Sequence, residues 1–124
     1  MQLFRFRTLI VTTALAGLAA LALTSSAAAA APTRLVGTVG PGFTITLKKA
    51  ARPVRLLTPG RYSFTVADKS NIHNFNLKGP GLNKEITTIG FVGTKTVIVA
   101  LRKGTYMFVC DPHLTSMKGS FKVA

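Results

Sequence analysis

The chain has 124 residues, of which 16 are Lys or Arg and only three are Asp or Glu, so its formal net charge is +13. Its single cysteine excludes an intramolecular disulfide, and its two histidines are too few for an enzyme with several metal centres. The length allows one small domain with a single modest core.

The N-terminal segment predicts a secretory signal peptide over residues 1–30. A basic start with Arg5 and Arg7 precedes an apolar run at 9–23, and small residues with an A-x-A pattern follow. An uncleaved membrane anchor is the alternative, but the apolar run is shorter than the ~20 residues that a membrane span needs. We therefore expect cleavage near Ala30 and a secreted or periplasmic protein.

The part after the predicted cleavage site, residues 31–124, is strongly basic. It keeps 14 of the 16 Lys and Arg residues and all three acidic residues, so its net charge is +11. Such a charge attracts anionic partners and speeds encounter with them. The candidates are a redox protein with an acidic docking face and an anionic membrane or cell-wall surface, although general solubility explains the charge equally well. Nucleic acid is not expected as a partner of an exported domain.

The sequence of residues 31–124 predicts an all-β domain. Short apolar segments, several with a period of two, alternate with turns that contain Gly or Pro. The segment 82–93 is predicted to be a loop, and no long helical period occurs. Seven or eight short strands favour a β-sandwich or barrel. In chain order the predicted strands cover 34–39, 43–48, 61–67, 73–77, 95–101, 105–110 and 119–123.

A thiol, an imidazole and a thioether lie close together in the segment from Cys110 to Met117, which also contains His113. The second histidine, His73, lies 37 positions before Cys110. Two His, one Cys and one Met are the ligand set of a blue-copper electron-transfer site. Taken singly, each has a simpler interpretation as a surface histidine, a buried thiol or a core methionine. Taken together they predict one copper site, and a thioether in the set argues against zinc.

Strand alternation orients the cysteine. Tyr106, Phe108 and Cys110 share one face of a predicted strand, and two aromatic neighbours indicate that this face is the core face. Met107 faces the opposite side, so Met117 is the candidate thioether ligand although Met107 is nearer to Cys110.

The strand that carries Cys110 is expected to end at Pro112, which cannot donate a ladder hydrogen bond. Residues 111–118 are then a loop that returns to the last strand. Such a loop can bring Cys110 and His113 onto one metal ion together with the thioether. We expect His73 to join them from a strand start across the sandwich.

Three short patterns surround the four candidate ligands: His73-Asn74, Tyr106-x-Phe108-x-Cys110, and Cys110-Asp111-Pro112-His113 followed by Met117. With these patterns the chain resembles the cupredoxins, the plastocyanin and azurin group of blue-copper proteins, over essentially all of 31–124. It is most similar to small secreted bacterial cupredoxin-like proteins. Three residues separate His113 from Met117, whereas plastocyanins usually have one more and amicyanins one fewer. This spacing leaves the axial bond length and the reduction potential open.

The resemblance implies a Greek-key β-sandwich that holds one type 1 copper ion per chain. It implies that Nδ1 of His73, Nδ1 of His113 and the Cys110 thiolate are strong equatorial ligands, with the Met117 sulfur as a weak axial ligand. Asn74 matches the family position that joins the two ligand-bearing segments by hydrogen bonding, and a similar bracing role is expected for the residue after Cys110, Asp111.

The leading functional hypothesis is a monomeric one-electron carrier outside the cytoplasm, with no catalytic activity. An apolar docking rim is expected at Leu114, Pro112 and Pro80, around the exposed edge of His113. The alternative is an exported copper storage or delivery module without electron-transfer turnover. An exported structural β-sandwich without copper is the simplest remaining hypothesis.

Overall fold

The computed structural model describes residues 25–124, and the predicted signal segment up to residue 24 lies outside the described residues. Residues 25–32 have no regular secondary structure. Ten β-strands and one short 3-10 helix follow. Within residues 25–124, no helix is long and apolar enough to cross a membrane.

The strands form two five-stranded sheets. The elements are β1 Thr33–Val39, β2 Ile45–Lys49, β3 Arg52–Pro53, β4 Leu56–Leu57, β5 Gly60–Asp68, β6 Phe75–Gly79, β7 Leu82–Thr87, β8 Gly93–Leu101, β9 Gly104–Val109, the 3-10 helix Asp111–His113, and β10 Lys118–Val123. One sheet has the order β3-β2-β1-β5-β8, and the other has the order β4-β10-β9-β6-β7. Strands β1 and β5 are parallel neighbours, whereas β5 and β8 are antiparallel.

The core lies between the two sheets and follows the alternation of each strand. In β5, Tyr62, Phe64 and Val66 are buried while the residues between them are partly exposed. The rings of Phe75 and Phe108 stack with centroids 5.9 Å apart in the middle of this core. Burial of large apolar side chains on one face of each sheet supplies the main stabilisation. The predicted all-β sandwich is confirmed.

The predicted loop at 82–93 is wrong for its first half. Residues Leu82–Thr87 form β7, which pairs antiparallel with β6. Strand β7 is the edge of its sheet, and only its last two residues, Ile86 and Thr87, are buried. Its polar middle therefore lacks the apolar period by which the other strands were predicted. The connection from 88 to 92 has no regular secondary structure apart from turns.

Candidate metal centre

The two ligand-bearing segments leave neighbouring strands of one sheet. His73 lies just before β6 and Cys110 lies just after β9. The two strands pair antiparallel with Asn76 opposite Val109, so the residues before β6 lie beside those after β9. This pairing brings together two side chains that are 37 positions apart. The expectation that His73 comes from across the sandwich is therefore wrong, because β6 and β9 belong to the same sheet.

The segment from Cys110 to Met117 is a tight, hydrogen-bonded connection. The Cys110 N–H donates to the Met117 carbonyl at 3.0 Å and closes the segment at its base. The His113 N–H donates to the Cys110 carbonyl at 3.0 Å, and the Met117 N–H donates to the His113 carbonyl at 2.8 Å. Pro112 stands in the first turn of the 3-10 helix, where its missing N–H leaves no donor unsatisfied. The predicted loop thus contains a helical turn that fixes the position of His113.

Three donor atoms converge on one point. Nδ1 of His73 lies 3.1 Å from Nδ1 of His113, and the Cys110 Sγ lies 3.7 Å and 3.4 Å from these two nitrogens. The point equidistant from the three atoms lies about 2.0 Å from each, close to the bond lengths of a transition metal to imidazole and thiolate. The sequence predicted all three of these side chains as ligands, and the structure brings all three together.

The methionines occupy the positions that strand alternation predicts. Met117 is fully buried in the same apolar cluster as Cys110. Met107 is 41% exposed on the outer face of β9. Of the two methionines within residues 25–124, Met117 is therefore the one placed to offer a thioether on the Cys110 side. Cys110 and His73 are also fully buried, so water reaches the three converging donors only past the partly exposed His113.

An aromatic ring that sequence analysis did not single out covers both imidazoles. The Phe43 ring meets His73 edge-on at 5.3 Å and His113 at 4.9 Å between centroids, although Phe43 itself is 60% exposed. On the other side, Gly40 has φ +69, and a Cβ there would lie 3.4 Å from Cδ2 of His73 and 3.0 Å from Cβ of Ser70. The His73 ring is thus held by packing, because its buried Nε2 has no hydrogen-bond partner among residues 25–124. In the sequence, the only indication of this role for Phe43 was its position directly after a Gly-Pro-Gly turn.

A polar cluster braces the cysteine segment from outside, and we call these residues the Asp111 cluster. The side-chain amides of Asn74 and Asn76 and the ammonium of Lys78 donate to the Asp111 carboxylate at 2.9, 2.8 and 2.7 Å. The Asp111 N–H in turn donates to Oδ1 of Asn74 at 2.8 Å, and the Asn74 amide also donates to Glu85 at 3.0 Å. Side chains therefore continue the pairing of β6 with β9 beyond the strand ends.

The Asp111 cluster keeps an ion-paired carboxylate beside the cysteine. Burial acts to raise the pKa of Asp111, but the hydrogen bonds from Lys78, Asn74 and Asn76 outweigh it and hold that pKa below its ordinary value. Asn74 and Asp111 were predicted as braces, and the structure joins them. Asn76 and Lys78 were not predicted. The sequence pattern that could have identified them is a strand with polar side chains at every second position and apolar side chains between them.

Comparison with known proteins rests on structure alone, since no protein-family model and no curated protein matches the sequence. The copper protein rusticyanin is similar over 73% of this chain and 76% of its own, with 21% identity and a TM-score of 0.55. The structure of reduced rusticyanin gives 23% identity and the same TM-score over 73% and 78%. Auracyanin A, a blue copper protein from the bacterium Chloroflexus aurantiacus, covers 76% of this chain and all of its own, with 17% identity and a TM-score of 0.53. The chain has the cupredoxin fold.

The donor set of this domain, which has the cupredoxin fold, fits a single type 1 copper site. Two imidazole nitrogens and a thiolate form a near-equilateral triangle, and a buried methionine follows on the same segment. Leu114 and Pro112 of the predicted docking rim are exposed beside His113, and their role in docking stays a prediction. It does not include Pro80, which packs against Gly104 at the opposite end of β9.

Proposed function

We propose that this chain binds one copper ion in a type 1 site and carries single electrons between redox proteins outside the cytoplasm. The observation that carries the proposal is the convergence of two imidazole nitrogens and one thiol sulfur on a point about 2.0 Å from each. Rusticyanin and auracyanin A, which share the fold, are described as copper proteins, and this supports the choice of metal.

His73, His113 and Cys110 would hold the ion, and Met117 would be the weaker fourth ligand. Copper supplies a one-electron couple there, since thiolate and thioether suit Cu(I) and imidazole suits both oxidation states. The protein keeps the donors in place through the cycle. Cys110 is held by its hydrogen bond to the Met117 carbonyl, and the His113 carbonyl is held by the Met117 N–H. A site that moves little when its charge changes exchanges electrons with little reorganisation.

His113 is the route by which electrons would enter and leave. It is the one candidate ligand that is partly exposed, and the Phe43 ring packs against it with centroids 4.9 Å apart. Phe43, Leu114 and Ile72 expose 60%, 47% and 51% of their surface at this end of the sandwich. Apolar contacts of this kind lose water readily, so a partner protein can approach the imidazole closely. An acidic docking face on that partner stays a prediction. Association rates at several salt concentrations would test it.

Export of the protein is part of the proposal and rests on the predicted signal segment over residues 1–30. Copper storage or delivery is the alternative function, and no contact in the structure favours it. A storage protein would also bind copper, so colour alone does not separate the two functions.

Repeated electron transfer separates them. We expect the copper-loaded protein to be reduced and reoxidised through many cycles by a soluble electron donor and acceptor, with its visible absorption restored each time and no copper lost to a chelator. Cys110→Ser is the matched control, because it keeps both imidazoles and removes the thiolate. Release of copper on the first reduction would contradict the carrier and support the storage alternative.

A further inference from the structure

The basic residues are concentrated at the end of the sandwich away from the metal centre. We call this the distal end; strands β5 and β9 begin there, and β8 and β10 finish there. Nine of the 14 cations after residue 30 lie at this end by strand register, and all nine are exposed. They are Arg34, Lys48, Lys49, Arg52, Arg55, Arg61, Arg102, Lys103 and Lys122.

All three acidic residues lie at the other end. Asp68 is buried where β5 finishes beside Val39, Glu85 contacts the amide of Asn74, and Asp111 follows the cysteine. Across residues 25–124 the one salt bridge joins Asp111 to Lys78, which is not a distal cation. The nine distal cations therefore have no acidic side chain of this chain to neutralise them.

The distal charge is too far from His113 to guide a partner to the metal. Strand β5 alone, with nine residues, spans about 26 Å from one end to the other. Exposed charges are screened within about 8 Å at physiological ionic strength. The distal end and the face around His113 therefore act as separate surfaces. A partner held at the distal end would not be positioned at the metal, so this charge is available for a different ligand.

The distal end combines clustered cations with an exposed apolar side chain. The turn between β2 and β3 places Ala50 and Ala51 at φ 45 and 64, and it sets Lys49 opposite Arg52 at the tip of a hairpin. Four residues after Arg52, Leu56 is 65% exposed and pairs with Lys122 of β10. Cations near an exposed apolar side chain are a combination that binds the interface of a bilayer.

The chain also enters the domain at this end. Strand β1 begins with Thr33 opposite Tyr62, near the start of β5, and residues 25–32 before it have no regular secondary structure. The apolar segment 9–23 precedes them in the sequence. The segment that is predicted to direct export therefore joins the domain at its distal end.

We propose that the distal end binds the surface of an anionic lipid bilayer, with the His113 face directed away from the membrane toward partner proteins. The lipid phosphates would contact the hairpin cations Lys48, Lys49, Arg52 and Arg55, and Leu56 would enter the headgroup layer. Membrane binding of this kind would be separate from copper binding, because none of the four candidate copper ligands lies at the distal end.

Sedimentation with vesicles tests the proposal. Residues 31–124 would be mixed at physiological salt with vesicles of phosphatidylcholine alone and with vesicles that also contain phosphatidylglycerol. The test variant replaces Lys48, Lys49, Arg52 and Arg55 by Ala. The matched control replaces Lys69, Lys84, Lys95 and Lys118, four cations away from the distal end, so both variants lose the same charge. All three proteins are measured with and without copper.

We expect wild type and the control variant to bind only the anionic vesicles, equally well with and without copper. Each Lys or Arg near an anionic surface contributes about fivefold in affinity, so the distal variant should bind roughly 100-fold more weakly or worse. Equal losses in the two variants would mean that net charge alone matters and would overturn the proposal. Stronger binding to soluble polyphosphate than to vesicles, at equal phosphate concentration, would overturn it in favour of an anionic polymer.

Discussion

Asn74→Ala should weaken the protein more than its single amide suggests. The Asn74 side chain is 2% exposed and makes three hydrogen bonds, to both the carboxylate and the N–H of Asp111 and to Glu85. Replacing it leaves the Asp111 N–H without its acceptor beside Cys110. A typical net hydrogen bond contributes about 1 kcal/mol, and an abandoned buried partner adds a penalty of similar size. Water can replace the Asn74 amide at the carboxylates of Asp111 and Glu85, so these two hydrogen bonds contribute less than the full value. We therefore expect a total loss of about 3 kcal/mol in the free energy of unfolding.

Asn76→Ala is the matched control for this prediction. Asn76 is also buried, but its side chain makes one hydrogen bond, to Asp111, and its carbonyl oxygen has no partner among the residues that the structure describes. We expect a loss of about 1 kcal/mol there. Urea unfolding of the copper-free proteins measures both values, and for a domain of this size 3 kcal/mol corresponds to a fall in Tm of roughly 10 to 25 °C. Equal losses in the two variants would refute the bracing role of Asn74.

Three further predictions concern the site and the packing. Met117→Leu should keep the intense visible absorption and shift the reduction potential, because it would remove only the weaker fourth ligand; complete loss of copper would contradict this. Gly79→Ala should lower the free energy of unfolding by about 2 to 3 kcal/mol, since a Cβ there overlaps the Tyr106 ring. Gly42→Ala is the control and should be nearly neutral, because the space around Gly42 is open. Similar losses in the two variants would rule out the packing argument. Copper-free Asp111→Asn should be less stable than wild type at pH 7. The pKa of Asp111 is lowered in the folded state, so its stabilisation is present above the unfolded-state pKa and disappears as the pH falls through the folded-state pKa. A difference in stability between wild type and Asp111→Asn that persists in acid would contradict the charge argument.

The sequence was sufficient wherever one residue pattern determines one structural property. Alternation in 61–67 predicts the buried face of β5, and Tyr106 and Phe108 predict the inward direction of Cys110. Composition limits the choice of candidate metal ligands, because the chain has only two histidines and one cysteine. These inferences need only the period of a strand and the chemistry of the side chains.

What the sequence did not reveal depends on which strands become neighbours. The pairing of β6 with β9 places His73 and Cys110 in one sheet, and no periodicity within either strand encodes that pairing. The same pairing sets Asn76 and Lys78 against Asp111. Strand β7 was missed because an edge strand with a polar middle has no apolar period.

The distribution of charge shows the same limit. Composition predicts a net charge of +11 after residue 30 but cannot say where the cations lie. Strand register places nine of them at the distal end and the three acids near the metal centre. The sequence left general solubility and anionic partners as equal explanations of this charge, and the fold shows that the charge is concentrated at one end.

The most direct test of the account is the visible absorption of the protein with one equivalent of Cu(II). A thiolate and two imidazoles around Cu(II), with a weak thioether, give a strong thiolate-to-copper band in the visible region. The account predicts an intensely blue wild-type protein and a Cys110→Ser variant that lacks this band. A colourless copper-loaded wild type, or an unchanged spectrum in Cys110→Ser, would contradict it.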